Sequence, residues 1–339
     1  MLERYSRQIL FSEIGEKGQR KLQKAKVLII GCGALGTAHA EKLARAGVGF
    51  IRIADRDLVE FSNLQRQTLF EESDAQKKVP KAIAAKKRLK KINSSIKIEA
   101  LVTDVNNSNI ESIIEDIDIV LDGTDNFQTR YLINDACVKH GKIWIYGAVV
   151  SSYGATMTII PQKTPCLRCI FEEMPSAASS PTCETAGIIQ PIVSIISAIQ
   201  TTEAIKILVG KLDKLHKSLL QIDIWTNEWR KVNLHKPQSN CKCCALKQFD
   251  FLSADWRDFA TILCGRNAVQ ILPANKADIN LKHLAEKLSK IGQVTQNEYL
   301  IRLKVEGYEL TIFDDARAII HGTENIGFAR SLYSKYVGV

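Results

Sequence analysis

The sequence predicts an α/β protein built on a Rossmann-like, mostly parallel sheet with helices on both faces. Apolar segments of strand length alternate with helical patterns through the first half of the chain, which is typical of repeated βαβ units. The first segment runs into glycines spaced G-x-G-x-x-G, and the next ends at an acidic residue. After Gly147 the pattern predicts an antiparallel extension. The tail has signals of its own, so we predict domains at 1–246 and 247–339, the second a small α+β domain.

The stretch Val27–Asp55 carries the strongest single indication of function in the sequence. Gly31 permits a tight turn after the strand, Gly33 lets the main chain approach a phosphate, and Gly36 lets the following helix pack near the sheet. Phosphate would lie at the helix N-terminus, where unpaired N–H groups favour an anion. Asp55 ends the second strand, where an acid can accept hydrogen bonds from ribose hydroxyls. The arrangement predicts nucleotide binding, with a purely structural turn as the alternative.

The remaining elements follow from apolar periodicity and from the residues at segment ends. Besides short amphipathic helices in residues 1–24 and the helix of the first βαβ unit, we predict helices at 80–92, 108–114, 127–139, 190–209, 279–291 and 326–336. We predict further strands at 96–101, 117–121, 143–148, 155–160, 219–224, 228–234, 261–263, 268–272, 299–303 and 309–313. The polar segment 57–70 has no convincing period, so we predict an irregular connection of the kind that builds sites at the carboxyl edge of a parallel sheet.

Composition and charge limit the location and the partners. The 339 residues carry a formal net charge of +9, which permits an acidic partner such as nucleic acid. The lysines are scattered, however, and the run Lys77–Lys91 has helical spacing, so we interpret it as a solvated helix face and expect no nucleic-acid partner. The charged N-terminus lacks a signal-peptide pattern, and Ile188–Val209 contains too many polar residues for a membrane span. We therefore expect a soluble, cytoplasmic protein without a membrane partner.

Nine cysteines in a reducing compartment point to metal binding or catalysis rather than to disulfides. Cys166 and Cys169 form one C-x-x-C pair, and Cys241 and Cys244 form another about seventy residues later. Two such pairs can supply four thiolates to a tetrahedral zinc ion, so we predict a structural zinc site joining two remote loops. Cys243 leaves the second pair ambiguous, although only Cys241 with Cys244 has the usual spacing. We expect small buried side chains at Cys32, Cys137 and Cys264.

A set of polar side chains is expected at the carboxyl edge of the sheet. Arginine and lysine near a phosphate chain neutralise the charge that develops when pyrophosphate leaves, and a carboxylate can hold the magnesium that bridges phosphate oxygens. A nicotinamide-dependent Rossmann enzyme does not need such a set, whereas nucleotidyl transfer does. The members of the set are Asp55, Asp57, Asn63, Arg66, Lys81 and Asp125.

Several ordered motifs occur between residues 1 and 245. They are RYSRQ at 4–8, GCGALG at 31–36, SNLQRQ at 62–67, PK at 80–81, LDGTDN at 121–126, CLRC at 166–169, PTCETAG at 181–187 and CKCC at 241–244. Their order and spacing resemble the ubiquitin-activating-enzyme family, in its bacterial ThiF, MoeB and HesA branch. The tail, with GYELTIFDDARAIIHGT, also resembles an extension of some ThiF-like members. One departure is Lys78, where family members often have glycine.

The resemblance implies an enzyme that uses ATP to adenylate the C-terminal glycine carboxylate of a small ubiquitin-fold sulfur carrier ending in Gly-Gly, releasing pyrophosphate. It implies ATP, Mg²⁺ and Zn²⁺ as cofactors and a homodimer in which Arg7 reaches the neighbouring subunit's site. No general base is assigned, because the attacking carboxylate is already ionised. By motif, Gly31, Gly33 and Gly36 line the phosphates, Asp55 holds the ribose, Asn63, Arg66 and Lys81 contact the phosphate chain, Asp125 serves magnesium, and Asp57 and Asn126 complete the nucleotide site.

Cys183 is the remaining candidate for chemistry. In ThiF-like relatives the cysteine of this segment is associated with covalent chemistry on the carrier's terminus, and such a step would add a cysteine desulfurase or another sulfur donor as a partner. The alternative is a loop cysteine that adenylation does not use. Cys264-Gly-Arg266 has the wrong spacing for a rhodanese loop, so we predict no built-in sulfurtransferase.

Several readings stay open. Carrier adenylation ranks first, with a ThiS-like carrier in thiamine thiazole synthesis favoured by the tail and by Cys183, and a MoaD-like carrier in molybdopterin synthesis as the alternative. The glycine pattern alone would favour an NAD-dependent oxidoreductase, but that class does not explain SNLQRQ, Lys81 or the cysteine pairs. The basic charge suggests a third class, a non-catalytic zinc scaffold or nucleic-acid binder.

Overall fold

The structure is a computed structural model that describes residues 3–174, 186–234, 236–253, 260–263, 267–272 and 279–337. The chain divides into two compact units, Met1–Trp256 and Arg257–Val339, so the division falls at 256/257 where the sequence suggested 246/247. Each unit has its own sheet.

The first unit contains an eight-stranded sheet in the order β3-β2-β1-β4-β5-β6-β7-β8. The first five strands in that order pair in parallel, and β5 to β8 pair antiparallel, as the sequence predicted. The strand order reverses between β1 and β4, which creates a crevice at their carboxyl ends. The strands are β1 Lys26–Ile30, β2 Phe50–Asp55, β3 Lys97–Val102, β4 Ile119–Asp122, β5 Ile143–Val150, β6 Tyr153–Ile159, β7 Ser218–Asp223 and β8 Glu228–Asn233.

Helices cover both faces of the parallel part. They are α1 Ser6–Ile9, α2 Gly15–Lys24, α3 Ala34–Ala46, α4 Glu72–Gln76, α5 Lys81–Ile92, α6 Ile110–Ile114, α7 Phe127–Lys139, α8 Leu167–Ile170 and α9 Gln190–Val209. Successive side chains of β1 point to opposite faces of the sheet. Val27 and Ile29 pack in the apolar cluster on one face, and Leu28 and Ile30 pack in the cluster on the other. The first cluster includes residues of α3, α5 and α9, and the second includes residues of α6 and α7. A central strand buried on both sides explains the uninterrupted apolar run VLII.

Helix α9 also has the length and hydropathy of a membrane-spanning helix, with a mean hydropathy of 1.6 over its best window, of which 50% is buried inside the protein. A helix buried in the core of a protein can have the same length and hydropathy. Its polar residues serve the interior: Glu203 is 1% exposed and pairs with Lys206 at 2.7 Å, and Gln200 is fully buried. We therefore assign α9 to the core of the first unit.

The second unit has a six-stranded antiparallel sheet in the order β11-β12-β13-β14-β10-β9. One face of this sheet packs against two helices in an apolar cluster that includes Val269, Ile301 and Leu332. The elements are β9 Ala260–Leu263, β10 Ala268–Ile271, α10 Leu281–Leu288, β11 Gln293–Gln296, β12 Leu300–Val305, β13 Tyr308–Phe313, β14 Ala318–His321 and α11 Ile326–Tyr336.

The sequence missed short elements. It did not predict α4, β11 or β14, it placed α8 within a loop at 161–183, and it predicted the first helix of the second unit at 279–291 where the structure has Leu281–Leu288. Strand β11 is mostly exposed and reads QVTQ, so it carries little apolar periodicity. Both missed strands have four residues, too few for a period to stand out, and pairing with neighbouring strands stabilises them.

Candidate active site

The glycine loop makes backbone contacts at the crevice between β1 and β4. Gly31 has φ of +87°, and a Cβ atom there would lie 2.6 Å from the carbonyl oxygen of Gly123. A Cβ atom on Gly36 would overlap the carbonyl oxygen of Gly31. Around Gly33, by contrast, the nearest atoms to a built Cβ lie 3.9 Å away. Gly31 and Gly36 therefore serve close packing, and Gly33 leaves space beside the N-terminus of α3.

Asp55 lies next to this loop at the end of β2. Its carboxylate accepts hydrogen bonds from the N–H groups of Cys32 at 2.5 Å and Asp57 at 2.6 Å. Burial raises the pKa of Asp55, the ammonium group of Lys81 opposes that shift, and the charge of Asp57 adds to it. Each carboxylate oxygen keeps a further lone pair, which can accept from a ribose hydroxyl.

Lys81 is the first residue of α5 and is only 4% exposed. Its Nζ lies 3.0 Å from Asp57 Oδ2, and its N–H donates to the Asp57 carbonyl at 2.9 Å. The neighbouring Arg56 pairs with Asp104 at 2.6 Å. Two cationic groups are thus held by carboxylates at the carboxyl end of β2.

Asn63 and Arg66 lie on the connection after β2, Asn63 at the end of a turn at Phe61–Asn63 and Arg66 three residues beyond it. Asn63 is 3% exposed, and its Oδ1 accepts from the Glu60 N–H at 3.0 Å. The Arg66 guanidinium donates to the Ser62 carbonyl at 2.8 Å. The turn adjoins the glycine loop, because a Cβ built on Gly33 would lie 3.9 Å from Gln67 Nε2.

Strand β4 ends at Asp122, and the loop after it carries Thr124, Asp125 and Asn126. The fully buried Asp122 carboxylate accepts from the Thr124 N–H and hydroxyl at 2.9 and 2.7 Å and pairs with Arg130 at 3.2 Å. Asn126 caps α7 by accepting from the Thr129 N–H at 2.9 Å. Asp125 is exposed, so its carboxylate is available to a cation such as magnesium.

Electrostatics link the two strand ends. Burial by itself would lower the pKa of Arg56. The carboxylates of Asp104 and Asp57 outweigh that effect and hold the pKa of Arg56 above its ordinary value. Asp125, from the other side of the crevice, contributes to the same rise. The structure therefore brings together the predicted residues of the glycine loop, the β2 end and the β4 end.

Two predicted residues stand apart from this cluster. Arg7 is exposed on α1. Its neighbours Arg4 and Tyr5 contact the Ile92 carbonyl and Gly47, at the C-terminal ends of α5 and α3. Those helices begin at the candidate site, and α3 alone spans about 20 Å. Cys183 lies outside the described residues, as does Cys264.

The four predicted zinc ligands converge. The Sγ atoms of Cys166, Cys169, Cys241 and Cys244 all lie within 4.8 Å of one another, with pairs at 3.8, 3.6 and 3.3 Å. Zn–S bonds of about 2.3 Å in a tetrahedron place sulfurs about 3.8 Å apart, so the cluster fits zinc. Four thiolates would leave no open position, and zinc here would serve structure by joining α8 to the second cysteine loop.

Cys243 is not a member of this group. Its fully buried Sγ accepts from Asn134 Nδ2 at 3.2 Å, and Asn134 Oδ1 accepts from the Leu167 N–H at 2.8 Å. The geometry resolves the ambiguity of CKCC in favour of Cys241 and Cys244. Cys32 and Cys137 are fully buried, in agreement with the prediction.

Sequence reasoning missed several residues of the site. Arg56 and Arg130 complete its charge, and His39 and Gln200 lie buried beside it. Asp122 could have been found as an acid at a strand end. His39 and Gln200 contact each other across 161 positions of sequence, so no local signal indicates the pair.

The fold and site define a nucleotide-binding α/β protein with a cysteine cluster suited to zinc. Residues 5–243 match the ThiF family, and the chain belongs to that family. Its relatives include the Bacillus subtilis sulfur carrier protein ThiS adenylyltransferase, 46% identical over the full length of both chains. A Thermus thermophilus sulfur carrier protein adenylyltransferase is 34% identical over 72% of this chain and 90% of the relative.

Solved structures agree with the fold. Escherichia coli MccB in complex with MccA-N7isoASN is 25% identical and superposes with a TM-score of 0.64 over 72% of this chain and 75% of that one. MccB with ATP superposes with a TM-score of 0.62 at 24% identity, over 71% and 74% of the two chains. The match covers a share of this chain similar to that matched by the family.

The two loop glycines should respond differently to alanine. We expect Gly36→Ala to destabilise the protein by about 1–3 kcal/mol or more, because its Cβ overlaps the Gly31 backbone. Gly33→Ala should unfold near the wild-type temperature but bind ATP at least about tenfold more weakly, because the methyl group occupies the space beside the helix N-terminus. Thermal unfolding and calorimetric titration with ATP measure both effects. Wild-type ATP affinity in Gly33→Ala would contradict this assignment.

The cysteine geometry predicts different metal contents for substitutions at two cysteines that lie two positions apart. Cys241→Ser should lower bound zinc below one ion per chain and reduce thermal stability, because a ligand is lost. Cys243→Ser should keep the zinc, because its sulfur bonds Asn134 instead. Elemental analysis of the purified variants gives the ratio. Loss of zinc in Cys243→Ser alone would reverse the assignment.

Proposed function

We propose that this protein is an adenylyltransferase that uses ATP to activate the C-terminal glycine carboxylate of a ubiquitin-fold sulfur carrier and releases pyrophosphate. The observation that carries the proposal is the charged crevice around the glycine loop, where Lys81, Arg56 and Asp125 surround the site. The Bacillus subtilis relative named for the same reaction matches the whole chain and supports it. The family assignment argues against the NAD-dependent oxidoreductase and the zinc scaffold.

The charges suit this reaction. A carboxylate that attacks the α-phosphate is repelled by the phosphate chain, so cations must screen the charge and align the attack. Lys81 and Arg66 supply fixed positive charge, Asn63 adds a buried amide, and Asp125 would hold magnesium. The magnesium, when bound, would neutralise charge between phosphate oxygens. The nucleophile is already ionised, so these residues bind and orient rather than move a proton.

We further propose that the active form is a homodimer in which Arg7 acts in the neighbouring subunit's site. Arg7 stands at the C-terminal ends of α3 and α5, whereas the candidate site lies at their N-terminal ends. An arginine side chain cannot cover the length of α3. A role for Arg7 in adenylation therefore requires a second copy.

Carrier identity is the finer part of the proposal. The full-length relative is named for ThiS, which favours a ThiS-like carrier and thiamine thiazole synthesis. A MoaD-like carrier in molybdopterin synthesis is the less favoured alternative, because the relative that matches over both full lengths is named for ThiS and not for MoaD. Pyrophosphate exchange with purified carriers of both kinds compares them directly.

We expect a cytoplasmic enzyme that has no nucleic-acid or membrane partner and receives sulfur from a cysteine desulfurase or a similar donor.

Asp125→Asn and Arg7→Ala together test the shared site. Each variant alone should lose at least about a hundredfold in carrier-dependent ATP–pyrophosphate exchange, because each removes charge near the phosphates. Co-expressed in equal amounts, they should recover about a quarter of wild-type activity, since half the dimers are mixed and each contains one intact site. The exposed Asp213→Asn serves as the control for charge loss. No recovery in the mixture would contradict a site shared between subunits.

For Cys183 we propose a covalent step on the activated carrier, separate from adenylation. Cys183→Ser should then keep pyrophosphate exchange and lose sulfur transfer to the carrier. Mass spectrometry of the carrier's terminus and the exchange assay measure the two steps on the same preparation. Equal loss in both assays would contradict the covalent role, and full activity in both would leave adenylation as the protein's whole contribution.

A further inference from the structure

A buried polar pair lies beneath the nucleotide crevice. His39 on α3 and Gln200 on α9 are both fully buried, and His39 Nε2 lies 2.9 Å from Gln200 Oε1. Neither residue belongs to a motif used above. Helix α3 starts at the glycine loop, so the pair joins that helix to the central helix of the first unit.

Gln200 holds two strand ends together. The parallel pairing of β4 with β5 ends at Leu121 opposite Ile145. At that point Gln200 Nε2 donates to the carbonyl oxygens of Asp122 at 3.3 Å and Ile145 at 3.2 Å. A Cβ on Gly147 would collide with the Gln200 amide, which indicates how closely the side chain fits. The amide thus takes the place of ladder hydrogen bonds where the strands separate.

The orientation of this amide is determined by its partners. Both carbonyl oxygens are acceptors, so the amide NH₂ must face them and Oε1 must face His39. His39 must therefore donate from Nε2. Burial lowers the pKa of His39 to about 3, which keeps the ring neutral, and Nδ1 has no hydrogen-bond partner among the residues that the structure describes. An apolar side chain would avoid that unpaired atom, so packing alone does not account for a histidine here.

The strand end that Gln200 holds leads directly into the site. The Asp122 carboxylate accepts from Thr124, Arg130 and the Gly147 N–H at 3.3 Å. Asp125 directly follows Thr124, which this carboxylate anchors. We infer that His39 and Gln200 are positioning residues for adenylation, which set the loop that presents Asp125 to magnesium and ATP. This inference rests on the proposed function.

The test measures carrier-dependent ATP–pyrophosphate exchange in His39→Leu and Gln200→Met, which keep side-chain volume but remove the hydrogen bonds. We expect kcat to fall at least about tenfold, because small displacements of catalytic groups are costly. The magnesium concentration for half-maximal exchange should rise, and KM for the carrier should stay unchanged. His39→Gln, which retains an N–H donor, should recover most of the loss.

Thr201→Val is the matched control on the same helix. Thr201 is 4% exposed and bonds only within α9, to the Ser197 carbonyl at 2.7 Å, among the described contacts. It should reduce stability without changing the magnesium dependence. If His39→Leu or Gln200→Met does not fold, we replace it with His39→Asn. The asparagine side chain is too short to donate a hydrogen bond to Gln200.

The outcomes separate the two proposals. If the wild-type protein catalyses exchange and the folded variants keep its kcat and magnesium dependence, the positioning role is overturned and the proposed function is left intact. A wild type without exchange on any carrier ending in Gly-Gly would overturn the proposed function and this inference with it. Lower melting temperatures with wild-type kinetics per folded molecule would likewise reduce the pair to a structural role.

Discussion

The structure depends on close backbone contact at the point where the strand order reverses. Gly31 and Gly123 directly follow the neighbouring strands β1 and β4, and a Cβ on either would lie 2.6 Å from the carbonyl oxygen of the other. Gly36 brings α3 against the same turn. Because three chain segments meet without side chains between them, the N-terminus of α3 opens directly onto the crevice. Every polar residue of the candidate site is placed relative to this contact.

Charge in the site is arranged as buried or half-buried pairs. Lys81 with Asp57, and Arg130 with Asp122, satisfy each other inside the protein. Loss of one partner from such a pair typically costs about 3–5 kcal/mol, because the remaining charge is left without compensation. The pairs therefore hold their cations at fixed positions before any phosphate arrives. Fixed charge needs little reorganisation during the reaction, which is the advantage of a preorganised site.

Helix α7 connects the two centres of the first unit. Asn126 caps its N-terminus beside the crevice, and Asn134 lies two turns later against Cys243 and the first cysteine pair. Asp135 on the next position pairs with Arg168, within CLRC, at 3.3 Å. The cysteine cluster thus secures the helix whose first turn carries part of the site. The cysteine cluster suited to zinc and the nucleotide crevice therefore both contact this one helix.

Local patterns of period, spacing and residue type were enough to predict the parallel sheet, the glycine loop, Asp55 and the two cysteine clusters at 166–169 and 241–244. The sequence also supplied the family, through motifs spread over 1–245. Tertiary contacts were needed to show that Cys243 lies outside the metal group, that Lys81 pairs with Asp57, and that Arg7 lies at the far end of the helices from its own chain's site. The tertiary structure alone brought His39 to Gln200. Such contacts join residues far apart in the chain, and only the packing of one helix or strand against another determines them.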